Sequence, residues 1–127
     1  MAIIRIMEES EATGKVKVIF EEIKATLQVP FVPEVFRAMG FKPDHLEAIW
    51  TQVKGLYGSG CLDVKTKLFV ALAVAAAQRN SYFVTIHAIA LKRLGANDEE
   101  VAELLEVASL ATALNTLVSG LGLEPEL

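Results

Sequence analysis

Residues 63–80 read DVKTKLFVALAVAAAQRN, and this stretch decides the fold. Asp63 is a typical helix-capping residue, and residues 64–79 contain neither glycine nor proline. Alanine is the strongest helix former, and every residue from Leu68 to Ala77 is apolar. The stretch therefore predicts a helix that is apolar nearly all round, typical of the centre of a helical protein. We expect it to be the most buried element.

Helical patterns fill the chain on both sides of this stretch. Before it, apolar residues at three- and four-residue steps predict helices over residues 13–27, 33–39 and 43 to about 57. After it, further helices are predicted from Ser81, a candidate N-cap, to Leu94, and from Asn97 to about Val118. No segment alternates with a period of two, so no strand is predicted. The sequence predicts an all-α bundle of about six helices in one domain, residues 1–127.

Composition indicates which partners to expect. The chain of 127 residues is 53% hydrophobic, which is high for a monomer and favours a homo-oligomer that buries surface between copies. The net charge is −4 and the basic residues are scattered, so nucleic acid is not expected as a partner. The longest apolar run, about ten residues, is half of what crosses a bilayer. Without a signal-like amino terminus, a cytoplasmic location without membrane contact is predicted.

Cysteine and histidine are scarce. One cysteine and two histidines exclude an intrachain disulfide and favour neither a metal site nor a cofactor site. Cys61 follows Gly58-Ser59-Gly60 and precedes a predicted helix, where backbone amides lower a thiol pKa if the sulfur faces them. With no second cysteine to resolve an oxidised sulfur, a one-cysteine peroxidase at Cys61 would need an external reductant and a nearby base.

Two features of the fifth predicted helix are candidates for chemistry. His87 lies one turn after Phe83 and one turn before Leu91, so its ring should face the core or a pocket. It is either a proton relay or a structural histidine held by a carbonyl or a water. Asn80, Ser81 and Tyr82 place an amide, a hydroxyl and a phenol at the helix start, either as a site or as ordinary capping.

The order of these pieces resembles the alkylhydroperoxidase D-like (AhpD-like) and carboxymuconolactone decarboxylase superfamily of small, all-helical, oligomeric proteins. The resemblance covers nearly the whole chain. It is carried by residues 11–16 (EATGKV), 31–33 (FVP), 62–63 (LD), 72–75 (LAVA), 80–88 (NSYFVTIHA), 94–95 (LG) and 98–100 (DEE). Residues 80–88 are the most specific part, and the resemblance implies a trimer or a hexamer.

In the peroxidase branch of that superfamily, a Cys-x-x-Cys pair precedes a histidine by four residues, and a glutamate lies twelve residues before the first cysteine. With His87 on the histidine, Asn80 and Phe83 stand where the cysteines belong, and Leu68 stands at the glutamate. An amide and a benzyl group form neither a sulfenic acid nor a disulfide. The resemblance therefore implies a peroxiredoxin-like ancestry with a degenerate active site that lacks dithiol peroxidase activity.

The decarboxylase branch does acid–base chemistry without cysteines, and the resemblance implies that His87 is the retained group. We expect a small-molecule ligand or cysteine-free acid–base chemistry in a pocket at His87, with Asn80, Ser81, Tyr82, Phe83 and Leu68 at the motif positions. The alternatives are a non-catalytic oligomeric scaffold or binding protein, and the one-cysteine peroxidase at Cys61. The directions of Lys65, Lys67 and Arg79, which flank the central helix, stay open.

Overall fold

The computed structural model describes residues 2–126, and the regular structure in them is helical. A short 3-10 helix (Glu9–Glu11) precedes six α-helices: α1 (Gly14–Leu27), α2 (Glu34–Ala38), α3 (Pro43–Gly58), α4 (Val64–Ala77), α5 (Ser81–Arg93) and α6 (Asp98–Leu121). The prediction of an all-α chain with about six helices is confirmed. The chain divides into two compact units, Met1–Ser59 and Gly60–Leu127, and its assignment to a single domain stays a prediction.

The first unit is built on an aromatic and aliphatic core. The predicted stripe of α1 is buried at Val16, Ile19, Phe20 and Ile23, and α1 packs against α3. Trp50 of α3 is 2% exposed, and Phe36 of α2 meets its ring edge-on at 5.6 Å between centroids. The aromatic pair thus joins the short helix α2 to α3.

The amino-terminal segment is fixed to the first unit by charge-assisted hydrogen bonds. The Glu9 carboxylate accepts a 3.0 Å hydrogen bond from the amide of Val32 and lies 3.1 Å from Lys24 Nζ. The Val32 amide, followed by Lys24, holds the pKa of Glu9 below its ordinary value. Arg37 donates to the carbonyls of Val32 (3.1 Å) and Met7 (3.3 Å). These contacts satisfy backbone groups that no helix pairs.

The second unit is built around α4, which packs against both α5 and α6. Its buried side chains are Leu68, Leu72, Ala75, Leu91 and Ala96. Lys65 Nζ lies 3.4 Å from the Glu100 carboxylate, so α4 and α6 begin side by side. We expected α4 to be the most buried element, but it has three buried residues, whereas α1, of the same length, has four. Val70 and Val74 of α4 are 56% and 50% exposed.

Side-chain caps set the helix starts in the second unit. Asp63 accepts from the amide of Thr66 at 2.7 Å, as predicted. Asn97 and Glu100 form a reciprocal capping box at the start of α6. At the start of α5 the predicted cap, Ser81, is wrong by one residue. Asn80 is the cap, and its side-chain oxygen accepts from the amide of Phe83 at 3.0 Å.

Left-handed residues end α4 and α5. After α4, Arg79 has φ +57°, and the next amide, that of Asn80, donates to the carbonyl of Ala75 at 2.9 Å. After α5, Gly95 has φ +94°, and the amide of Ala96 donates to the carbonyl of Leu91 at 3.0 Å. Both turns are Schellman motifs, but the first places arginine where glycine is usual. A side chain with a Cβ is strained in this conformation.

We therefore predict opposite effects of glycine at these two turns. Arg79→Gly should raise the free energy of unfolding by about 0.5–1 kcal/mol, because glycine adopts the left-handed conformation without steric strain. Gly95→Ala should lower the free energy of unfolding by about 1 kcal/mol, because alanine is strained at the positive φ of this position. Urea unfolding followed by circular dichroism measures both. An Arg79→Gly variant less stable than the parent would show that the arginine side chain stabilises the turn by more than the strain.

Candidate functional site

Three aromatic rings follow one another at the start of α5. Tyr82 meets Phe83 edge-on, with centroids 5.1 Å apart, and Phe83 stacks on His87 at 5.3 Å with 20° between the ring planes. Phe83 and His87 are four residues apart, so one helical turn brings their rings together. All three residues are partly buried. The structure thus brings Tyr82, Phe83 and His87 into one ring cluster.

The imidazole of His87 is held toward its neutral form. Burial lowers the pKa of His87 below its ordinary value of 6.5, because desolvation disfavours the charged ring. At neutral pH the ring therefore has one nitrogen lone pair free of a proton. A neutral imidazole can accept a proton from a water or a ligand that reaches it, which is the requirement for a general base.

At the positions that the resemblance aligns with the cysteine pair of the peroxidase branch, this chain has side chains with structural roles. Asn80 caps α5 through its side-chain oxygen, and Phe83 forms the middle of the ring cluster. Ser81 is exposed, and its carbonyl accepts from Thr85 Oγ1 at 3.0 Å. Leu68 is a buried side chain of α4, 8% exposed. Cys61 is exposed and precedes α4, outside the motif.

A groove lies between the end of α4 and the middle of α6. Its volume is about 260 Å³, and three of its lining residues, Arg79, Ser109 and Thr112, are polar. The others are small or aliphatic: Ala76, Ala77, Leu105 and Ala108. This groove is not among the sites predicted from the sequence. Its sequence signal is a pair of hydroxyl residues three positions apart on α6 opposite alanines of α4.

A second groove, of about 370 Å³, lies in the first unit. It is lined by Glu8, Glu9, Ser10, Phe31, Val32 and Arg37. Arg37 already donates to two backbone carbonyls there, and Glu9 is paired with Lys24. This groove contains none of the predicted site residues. His87 lines neither of the two grooves.

The structure resolves the directions of the three cations that flank α4. Lys65 pairs with Glu100 on α6, and its ammonium lies 6.0 Å from the centroid of the Phe69 ring. Lys67 turns toward the preceding loop, where a Cβ on Gly60 would lie 3.2 Å from its Nζ. Arg79 lines the groove between α4 and α6. Of these three, Arg79 is the one placed to meet an anionic ligand in a described groove.

Comparison with known proteins agrees with this arrangement. The model of the carboxymuconolactone decarboxylase family matches residues 43–123, from α3 to the end of α6. The crystal structure of the alkylhydroperoxidase AhpD core from Rhodospirillum rubrum superimposes with a TM-score of 0.93 and 32% identity, covering 99% of this chain and 95% of that one.

A curated relative is named as a dehalogenase. An (R)-2-haloacid dehalogenase of Pseudomonas putida is 31% identical over 111 residues, which is 83% of this chain. The match covers only 35% of the dehalogenase, so this chain spans about a third of the length of that relative.

We expect the burial of His87 to be measurable in an NMR titration. The pKa of His87 should lie below 6.5, and Phe83→Ala should move it back toward 6.5 by admitting water.

The lowered pKa of His87 also makes stability depend on pH. As pH falls, the unfolded chain binds a proton at His87 at a higher pH than the folded chain does. The contribution of His87 to the free energy of unfolding should therefore be complete above about pH 6.5. It should fall as pH drops toward the pKa of the folded protein. A His87→Gln variant should lose this part of the pH dependence, and a titration at or above 6.5 in the parent protein would contradict the burial.

Proposed function

This chain belongs to the carboxymuconolactone decarboxylase family, and we propose that it carries out cysteine-free general-base chemistry on a small carboxylic acid at His87. The observation that carries the proposal is the partly buried imidazole stacked on Phe83, which burial keeps neutral. A neutral imidazole accepts a proton without help from a second residue. The flanking aromatic rings would exclude bulk water from one side of the ligand.

The substrate class is suggested by the curated relative, whose name is (R)-2-haloacid dehalogenase. Hydrolytic removal of a halide needs water as its only second reactant. The water oxygen attacks carbon 2 of the haloacid, the carbon–halogen bond breaks with its electron pair on the halide, and His87 takes the proton. The product is a 2-hydroxy acid. Such a step needs no thiol, which suits a chain with Asn80 and Phe83 at the motif positions of the cysteines.

A thiol mechanism has less support. The motif positions hold no sulfur, and Cys61 lies outside them on the loop before α4. A resolving cysteine is absent from the whole sequence, which contains one cysteine. Peroxide turnover at Cys61 would depend on a reductant that another molecule supplies.

A second candidate is binding without catalysis in the groove between α4 and α6. Two observations favour it: the groove is lined by Arg79, Ser109 and Thr112, and His87 is not among its lining residues. A guanidinium binds a carboxylate with two parallel hydrogen bonds, and the hydroxyls offer further donors. The volume of about 260 Å³ suits a molecule of few heavy atoms. The protein would then be a carboxylate-binding protein in which His87 is structural.

Halide release tests the catalytic proposal. We predict that the purified protein releases chloride from one enantiomer of 2-chloropropanoate, and that His87→Gln lowers the rate at least 100-fold, since general-base catalysis contributes about 10²–10⁴-fold. His45→Gln is the matched control, because His45 is exposed in the first unit. Cys61→Ser should leave the rate unchanged.

Two results would decide against this chemistry. No release of chloride from either enantiomer by the folded parent protein would remove the haloacid as substrate. Consumption of hydrogen peroxide with dithiothreitol, abolished by Cys61→Ser, would favour the one-cysteine peroxidase instead.

Binding of propanoate tests the groove separately. We predict that Arg79→Gln weakens propanoate binding about tenfold or more, because a charge-assisted hydrogen bond to the carboxylate is lost. Arg93→Gln, in the last turn of α5, is the matched control and should bind as the parent does. Calorimetry measures both. If Arg79→Gln binds normally while His87→Gln does not bind, the carboxylate is held at His87 and the groove is not the site.

A further inference from the structure

The imidazole of His87 must have a fixed orientation if a proton is to move at a defined nitrogen. A histidine ring rotates about χ2 in a broad well that is roughly two-fold, so the helix backbone alone does not fix it. In many histidine sites a hydrogen bond from the second ring nitrogen to a carboxylate or a carbonyl sets the orientation. A general base therefore needs an orienting partner.

In the described part of the chain, His87 has no hydrogen-bonding partner. No described carboxylate, carbonyl or hydroxyl forms a hydrogen bond with Nδ1 or Nε2, and burial is the one influence that lowers the pKa of the ring. The two nitrogens are also open to solvent. Among the described residues, Trp50 Nε1 is the one fully buried side-chain nitrogen or oxygen that lacks a partner. Water or a ligand can therefore reach the lone pair of the neutral imidazole.

The ring of Phe83 makes the contact that restricts the imidazole. The two centroids lie 5.3 Å apart with 20° between the planes, which is within the offset-stacked geometry that aromatic pairs favour. Rotation of the imidazole about χ2 by a quarter turn would replace this contact between ring faces with an edge contact. The stack therefore selects one plane for the imidazole.

The stacked plane also sets the direction of the imidazole nitrogens. The lone pair and the N–H bond of the neutral ring lie in the ring plane, and this plane is within 20° of parallel to Phe83. The nitrogens thus point alongside the phenyl ring and not into it. Phe83 covers one face of the imidazole and leaves its polar edge open to a ligand.

Phe83 is itself held at its backbone and at its ring. Its amide donates to the side-chain oxygen of Asn80 at 3.0 Å. The ring of Tyr82 meets the Phe83 ring edge-on, with centroids 5.1 Å apart and 83° between the planes. Both contacts lie at the start of α5, one turn before His87. The imidazole therefore stacks on a surface that other groups keep in place.

We propose that Phe83 is the positioning residue for His87, and that its ring performs by stacking the task that a hydrogen-bonding carboxylate performs in other histidine sites. The kinetic consequence of this role rests on the proposed function, general-base chemistry at His87. The role differs from burial, which any apolar side chain of similar size supplies. Leucine would also bury the imidazole, but it has no flat face on which the ring can stack.

Carbon-13 relaxation of the imidazole C–H bonds measures the orientation without any substrate. The order parameter of His87 should be about 0.85 in the parent protein and in Phe83→Tyr, which keeps the flat ring. It should fall below about 0.6 in Phe83→Leu. Circular dichroism checks that each variant is folded. An imidazole that is disordered in the parent protein, or equally ordered in folded Phe83→Leu, would overturn the proposal.

Chloride release from 2-chloropropanoate measures the kinetic consequence. Phe83→Leu should lower kcat about tenfold or more and change KM less than about threefold, because a misdirected base slows the reaction without weakening binding. The midpoint of the dependence of rate on pH should stay at the parent value, since leucine keeps the imidazole buried. Phe83→Tyr should restore the parent rate. Phe41→Leu is the matched control, because Phe41 is an exposed ring of the first unit.

The two measurements separate a failure of this role from a failure of the proposed function. A parent protein that releases chloride, with an unchanged kcat in Phe83→Leu, would overturn the positioning role and leave the general-base function intact. A parent protein that releases no chloride, with a His87 ring that Phe83→Leu disorders, would overturn the function and support the orienting contact.

Discussion

Asn80 is the residue on which the arrangement of the second unit depends. Its amide donates to the carbonyl of Ala75 and closes α4, while its side-chain oxygen accepts from the amide of Phe83 and opens α5. One residue therefore ends one helix and begins the next. Because α5 begins at this turn, Tyr82 and Phe83 lie in its first helical turn. The helical spacing of four residues then brings the ring of Phe83 onto that of His87.

The resemblance to the peroxidase branch implies that the same residue stands where that branch has a cysteine. A carboxamide at this position caps the helix, so the position has a structural use that does not involve redox chemistry. Phe83, at the other cysteine position, stacks on His87 and contributes to the burial that lowers the pKa of the imidazole. Asn80 thus sets the start of α5, and Phe83 covers one face of the His87 ring.

The distribution of apolar residues differs between the two units. In the first, the large side chains of α1 and α3 are buried against one another, with Phe20, Ile23, Leu46 and Trp50 at most 2% exposed. In the second, α6 has no buried residue although it is the longest helix. Leu105, Ala108, Ser109 and Thr112 line the groove against α4, whereas Leu110, Leu114, Leu117 and Leu121 are 50–62% exposed. The high hydrophobic fraction of the chain is therefore concentrated, in part, on a surface that the chain itself leaves uncovered.

The sequence by itself determined the helices, their caps at Asp63 and Asn97, and the family, because periodicity and capping depend on residues close together in the chain. It also placed the cap of α5 within one residue. It did not reveal the groove at Arg79 or which leucines of α6 are exposed. A helical pattern shows that one side is apolar, but which side meets α4 depends on contacts between residues about 30 positions apart. Only the tertiary structure decides those contacts, because packing of whole helices selects the buried side.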